Sequence, residues 1–194
     1  MNVSRVTARA LRRKRRQRAL VKVDRAHATL IGALVTASKP TDILEFGFGA
    51  AESSTAILHA LDYNAIPFRY TLVDNWFDWD GRRPRESRVR RFSRIDFVTC
   101  DEGAFVRDCQ KSYDFIFSDA DHLRSQEWFA DVFERLLKPG GTLIYHDVTN
   151  PGIPNLREIY DKTLERGLRH QLFNRNSRRD ERCERGLLVI FKDN

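Results

Sequence analysis

The sequence predicts an α/β fold: a doubly wound, mostly parallel sheet of seven strands whose last two form an antiparallel hairpin. Three observations carry this. Short apolar runs recur along the chain, and the first five close on polar, mostly acidic residues. Between the runs the apolar spacing changes from strand-like to helical, and strands alternating with helices require parallel pairing through right-handed crossovers. The first run, Asp42-Ile-Leu-Glu-Phe-Gly-Phe-Gly49, enters a Gly-x-Gly turn directly. There a backbone without Cβ atoms turns tightly and approaches a nucleotide-like ligand.

The elements follow in order. Over residues 20–37 the apolar positions Val23, Leu30, Ile31, Leu34 and Val35 predict a helix that packs on the sheet and ends before Pro40. After the first strand, residues 53–61 read as a helix, with Ser53, Ser54 and Thr55 as start residues and Ile57, Leu58 and Leu61 on one face. The second strand, residues 70–74, ends in Asp74, which lies 25 residues after Gly49. That is about where a Rossmann-like fold places the acid that accepts from ribose hydroxyls. The third strand (95–100) leads to Asp101-Glu102, and the fourth (114–118) to Asp119-Ala-Asp121-His122. Trp128, Phe129, Val132, Phe133, Leu136 and Leu137 recur at helical spacing, and Lys138-Pro-Gly-Gly141 stops that helix before a fifth strand over 142–145. This strand ends in His146-Asp147. A helix over 156–166 precedes two short strands, 168–173 and 186–191, whose connection is too short for a comfortable crossover helix.

Charge divides the chain of 194 residues in two. Residues 1–39 hold 11 Lys or Arg against the single acid Asp24, whereas residues 40–194 hold 23 basic and 26 acidic residues. We therefore read residues 1–39 as a basic arm and helix, and 40–194 as one catalytic domain. The run Arg12-Arg-Lys-Arg-Arg16 has three readings: a solvated surface, a contact with nucleic acid through residues 5–18, or a targeting arm. No apolar stretch has membrane-spanning length or the form of a signal peptide. Cys100, Cys109 and Cys183 form no Cys-x-x-Cys pair, which fits a reduced, cytoplasmic protein. A second basic zone, residues 75–94, combines Trp76, Phe77 and Trp79 with seven arginines from Arg82 to Arg94. It reads either as a lid that steers an anionic substrate or as a charged helix on the rim. Arg175, Arg178, Arg179, Arg182 and Arg185 read as a solvated loop.

Glu45-x-Gly-x-Gly49, Asp74, the acid pair Asp101-Glu102 and the Lys-Pro-Gly-Gly turn together resemble a class I S-adenosylmethionine-dependent methyltransferase over residues 40–192. More narrowly, Asp74-Asn-Trp76 and the stretch from Asp119-Ala-Asp-His122 through His146-Asp147 resemble small-molecule O-methyltransferases of the catechol/caffeoyl-CoA and macrocin/cephamycin types. The resemblance implies S-adenosylmethionine as cofactor, bordered by Gly47, Phe48, Gly49 and Ser53, with Glu45 holding the amino group through water. It implies that Asp74 accepts from the ribose, that Asn75 and Trp76 lie beside the adenosine, and that Asp101 or Glu102 lies near the adenine amino group, with Asp119 closing the set.

A sulfonium is already an excellent leaving group, so the protein's task is to align an acceptor hydroxyl and make it nucleophilic. Two devices are visible. Asp119 and Asp147 follow adjacent strands and converge on a hard cation such as Mg2+, with Asp121 or His146 as third ligand. His122 and His146 lie in the same place and serve as candidate general bases, and Asp119 completes the catalytic set. The alternatives are a helix-start role for His122 and a buried carboxylate partner for His146. His27, His59 and His170 read as structural. Two departures from the relatives stand out: Val148 occupies the position where the catechol type has Asn, and His146-Asp147 replaces two adjacent acids of the antibiotic type. Imidazole favours softer ions than Mg2+.

Two rival functions remain. A nucleic-acid methyltransferase would explain the arm, but Ser118-Asp-Ala-Asp121 replaces the Asn-Pro-Pro-Tyr-like turn of the amine-directed type, and no cysteine follows a proline. A non-catalytic nucleic-acid-binding protein would have little reason for acids after every strand. With only about 40 residues before the core, the acceptor pocket is either open or completed by a second subunit of a homodimer.

Overall fold

The computed structural model describes residue 23 and residues 25–76, 92–176 and 184–194. The basic run 5–18, most of the arginine-rich zone and Arg178, Arg179, Arg182 and Cys183 lie outside the described residues. The apolar runs form β1 (Asp42–Phe46), β2 (Arg69–Asp74), β3 (Ile95–Thr99), β4 (Tyr113–Ser118), β5 (Leu137–Tyr145), β6 (His170–Asn176) and β7 (Glu184–Phe191). The sheet order is β3-β2-β1-β4-β5-β7-β6. The first five strands pair in parallel, and β7 runs antiparallel between β5 and β6. The strand order reverses between β1 and β4, and in open α/β sheets that crevice, at the carboxyl ends of the strands, is where ligands bind.

The helices are α1 (Arg25–Ser38), α2 (Glu52–Tyr63), α3 (Glu102–Asp108), α4 (Ser125–Asp131) and α5 (Pro154–Glu165). Strand residues alternate between two cores, because successive side chains point to opposite faces. Ile43, Phe115 and Phe117 face the α1–α2 side, whereas Leu44, Phe46 and Ile116 face α4 and α5. Helix α1 buries His27, Ile31 and Val35, a four-residue spacing that lays one stripe on the sheet. No helix among the described residues is long and apolar enough to cross a membrane.

Two local expectations are corrected. Helix α2 starts at Glu52, after Ala51 in the left-handed region (φ 66°), and no side chain caps it. Ser53 and Ser54 are instead turned into the core. The helix before β5 ends in a wide π turn, Val132–Leu136, which passes straight into the strand at Leu137. Lys138-Pro-Gly-Gly141 therefore lies within β5 rather than before it. A register shift against β4 between Tyr113 and Phe115 absorbs the irregularity, and Lys138 is tied down by Asp42 at 2.6 Å and Asp114 at 2.9 Å.

Candidate active site

The carboxyl ends of four strands are laced together by backbone bonds. Gly47 N donates to Val73 O at 2.9 Å, Asp119 N to Phe46 O at 3.0 Å, and His146 N to Ser118 O at 3.1 Å. Gly47 takes φ +88°, and a Cβ there would stand 2.4 Å from the Asp119 carbonyl oxygen. The glycine turn and the end of β4 thus touch backbone to backbone, a contact only glycine allows.

One cavity opens over these ends, lined by Gly47, Gly49, Val73, Asp74, Asn75, Cys100, Asp101, Glu102, Asp119, Ala120, Asp121 and His122. It gathers seven of the cofactor residues expected from the sequence. Asp74 receives Phe48 N on one oxygen at 2.8 Å and Trp76 N on the other at 2.6 Å, so the glycine turn and the segment after β2 are both hung on it. Asp101 caps α3 by accepting from Ala104 N at 3.3 Å. Glu102 is buried; one of its oxygens accepts from Ser125 Oγ at 2.8 Å, and burial pushes its carboxyl up to about 7.

Glu45, Phe48, Ser53 and Trp76 do not line this cavity. Glu45 is fully buried; Oε1 accepts from Ser53 Oγ at 2.5 Å, and Oε2 accepts from Ser54 Oγ at 2.7 Å and from the Tyr70 hydroxyl. These bonds pin the start of α2 to β1 and β2 and hold the Glu45 carboxyl in the core rather than in the cavity wall. Phe48 packs in an aromatic group with Phe92, Phe97 and Trp76. The Trp76 indole donates to Thr99 Oγ1 at 2.9 Å. Phe48 and Ser53 border a second, smaller hollow with Val23, Gly47, Gly49 and Asp119.

Glu45 carries a pH dependence. Burial, against its three hydroxyl donors, raises its carboxyl from 4.5 to about 7. The unfolded chain releases this proton near the ordinary value and the folded chain keeps it to about 7. Stability therefore falls as pH rises through that window and levels off above it. The loss is up to ~3 kcal/mol for this one group. Urea midpoints at pH 5 and pH 7.5 check it: the wild type is expected to be more stable at pH 5, and Glu45→Gln to show a flatter profile.

Beside the cavity, the ends of β4 and β5 build a charged centre. His122 Nε2 lies 3.1 Å from Asp119 Oδ1 and 3.8 Å from Asp147 Oδ2. His146 Nδ1 lies 3.4 Å from Asp119 Oδ1 and 3.6 Å from Asp147 Oδ1, as close ionic neighbours. Asp147 holds a left-handed φ of 62°, a strain of the kind that clusters at functional sites. Burial disfavours the Asp119 charge, but the His146 and His122 imidazoles outweigh it and hold this carboxyl well below the usual range. Burial works against the His122 charge too, yet Asp119 and Asp147 raise its pKa to about 9. The two carboxylates thus favour the charged form of His122, which pairs with Asp119. Burial raises Asp147, which keeps it above the ordinary carboxylate value despite its cationic neighbours.

Two members of this centre escaped the sequence reading. His27 Nδ1, from α1, lies 3.2 Å from His146 Nε2, and both rings are buried. Arg185, read as part of a solvated loop, is buried with Nε 3.7 Å from Asp147 Oδ1. The spacing His27–Ile31–Val35 was the available signal for the first. Asp119, His146 and Asp147 offer donor atoms that all lie within 4.8 Å of one another, so that small side-chain adjustments bring them onto one cation. His146 Nδ1 and Asp147 Oδ1 are buried without a hydrogen bond, so the residues present fit a divalent ion.

A family profile described as "Methyltransferase domain" matches residues 44–148, from β1 through the charged centre. No curated protein matches the sequence at significance. Solved structures resemble the fold closely. The O-methyltransferase TomG from Streptomyces achromogenes, involved in tomaymycin synthesis and determined in complex with SAM, superposes at TM-score 0.70 with 16% identity, covering 90% of this chain and 82% of that one. The O-methyltransferase from Bacillus cereus, in complex with SAH, gives 0.66 at 16% identity over 89% and 83%. A methyltransferase from Geobacter sulfurreducens gives 0.63 at 19% identity over 100% and 91%. At these identities the likeness is one of fold.

Proposed function

Because the chain belongs to the methyltransferase-domain family, whose profile spans more than half of it, we propose that it transfers a methyl group from S-adenosylmethionine to a hydroxyl of a small molecule. The observation that carries this is the continuity of the Gly47–Asp74–Asp101 cavity with the carboxylate–imidazole centre at Asp119 and His122.

In this reading the glycine turn lets the backbone approach the methionine part of the cofactor. The Asp74 oxygens, already aimed by two backbone amides, accept from the ribose hydroxyls through their remaining lone pairs. Asp101 and Glu102 flank the adenine. Asp119 lies where the cofactor cavity meets the charged centre, so it orients the acceptor against the S–CH3 bond, with the His122 imidazolium holding it in place. A divalent ion held by Asp119, His146 and Asp147 would supply positive charge that lowers the acceptor's pKa.

Calorimetry with S-adenosylhomocysteine tests the cofactor assignment. Asp74→Ala is expected to weaken binding by more than tenfold, since lost charge-assisted hydrogen bonds cost ~1.5–3 kcal/mol. Affinity within about twofold of wild type would remove Asp74 from the site.

A further inference from the structure

The charged centre contains a nitrogen donor where an oxygen-only site would suit Mg2+. That nitrogen, His146 Nδ1, is buried, makes no hydrogen bond and faces two carboxylates. The other nitrogen of the same ring is occupied by His27, 119 residues away in sequence. We propose that His27 is a positioning residue which sets the tautomer of His146, so that Asp119, His146 and Asp147 select a borderline transition ion of the Mn2+–Zn2+ series over Mg2+. The proposal rests on the cation reading of this cluster and goes beyond it in naming the class of ion and the residue that aims the ligand.

The argument follows from proton placement. One hydrogen lies between His27 Nδ1 and His146 Nε2. If His146 carries it and His27 accepts, Nδ1 is left beside two carboxylates to hold either a second hydrogen, as an imidazolium, or a metal ion in that hydrogen's place. If His27 donates instead, Nδ1 carries the other hydrogen and faces the carboxylates as N–H. A metal requires the first state, so the residue at position 27 must be able to accept as well as donate. Partners behind a ligating imidazole fix its tautomer and orientation, and their loss typically costs ~10–100-fold in metal affinity. Imidazole beside carboxylates binds Co2+, Ni2+ and Zn2+ ahead of Mg2+, which prefers oxygen and keeps its water.

The test uses Co2+ as probe, read by its visible absorption in the purified full chain, with calorimetry against S-adenosylhomocysteine run separately. Co2+ is expected to bind with ligand-field bands that a roughly hundredfold excess of Mg2+ does not displace. His27→Phe, which fills the space but cannot accept, is expected to weaken Co2+ by roughly tenfold or more. His27→Asn, whose side-chain amide can accept or donate near the Nδ1 position, is expected to stay within about threefold of wild type. Displacement of Co2+ by equimolar Mg2+ overturns the proposal, and so does unchanged Co2+ affinity in His27→Phe. A protein that binds S-adenosylhomocysteine but no Co2+ also overturns it, while leaving the methyltransferase reading intact. Loss of both would sink the two together.

Discussion

Asp119→Asn is expected to lower methyl transfer by a factor of ~10²–10⁴, the range over which positioned acid–base groups contribute. The size follows from how much converges on this one carboxylate. Its Oδ1 holds His122 at 3.1 Å and faces His146 at 3.4 Å, and its backbone nitrogen bonds the end of β1. The amide keeps the shape and removes the charge, so the His122 imidazolium loses its main counter-ion and the centre loses one of its three donors. S-adenosylhomocysteine should still bind, because Gly47, Gly49, Asp74 and Asp101 are untouched. Release of S-adenosylhomocysteine across a panel of phenols and sugar hydroxyls measures the rate, and calorimetry measures the binding. A rate within about threefold of wild type would show that Asp119 neither orients nor activates the acceptor.

Gly47→Ala is expected to destabilise the fold by on the order of 3–5 kcal/mol and to abolish cofactor binding. Two effects add. The left-handed φ of +88° disfavours any Cβ, and the added methyl would meet the Asp119 carbonyl at 2.4 Å and Ala120 Cα at 3.1 Å. Those atoms are backbone, so relief requires the end of β4 to move away from the glycine turn. Gly49→Ala is the informative control, since it has a positive φ of +47° but nothing within 4 Å of its Cβ. Thermal unfolding of the two variants separates the steric part from the conformational part. Equal losses in both would mean that the close approach to Asp119 contributes nothing.

The strands and their acidic ends were legible because strands buried on both faces read as unbroken apolar runs, and the sheet's polarity puts their last residues at the ligand edge. What the chain hid were the side chains whose partners come from other elements of the fold. Glu45 alternates with Leu44 and Phe46, so it faces the α1–α2 side of the sheet, below the cofactor turn, where Ser53, Ser54 and Tyr70 hold it. Read alone, an acid before Gly-x-Gly looks like a ligand contact. His27 falls on the buried stripe of α1, but nothing near it announces His146. Lys138-Pro-Gly-Gly141 carries every mark of a break, and only the slipped register against β4 lets a strand run through it.

The reversal of β7 has an electrostatic consequence. Five parallel strands deliver their exits to one edge, and those exits bring mostly acids. Strand β7 delivers its entrance there instead: Val148 N bonds Gly186 O at 3.2 Å, and the neighbouring Arg185 lies buried beside Asp147. Chain direction thereby becomes a source of counter-charge, since the one strand that runs backwards carries a cation into a rim of carboxylates. Arg185 thus offsets part of the negative charge gathered at the β4–β5 end of that edge, on the side away from Asp74 and Asp101.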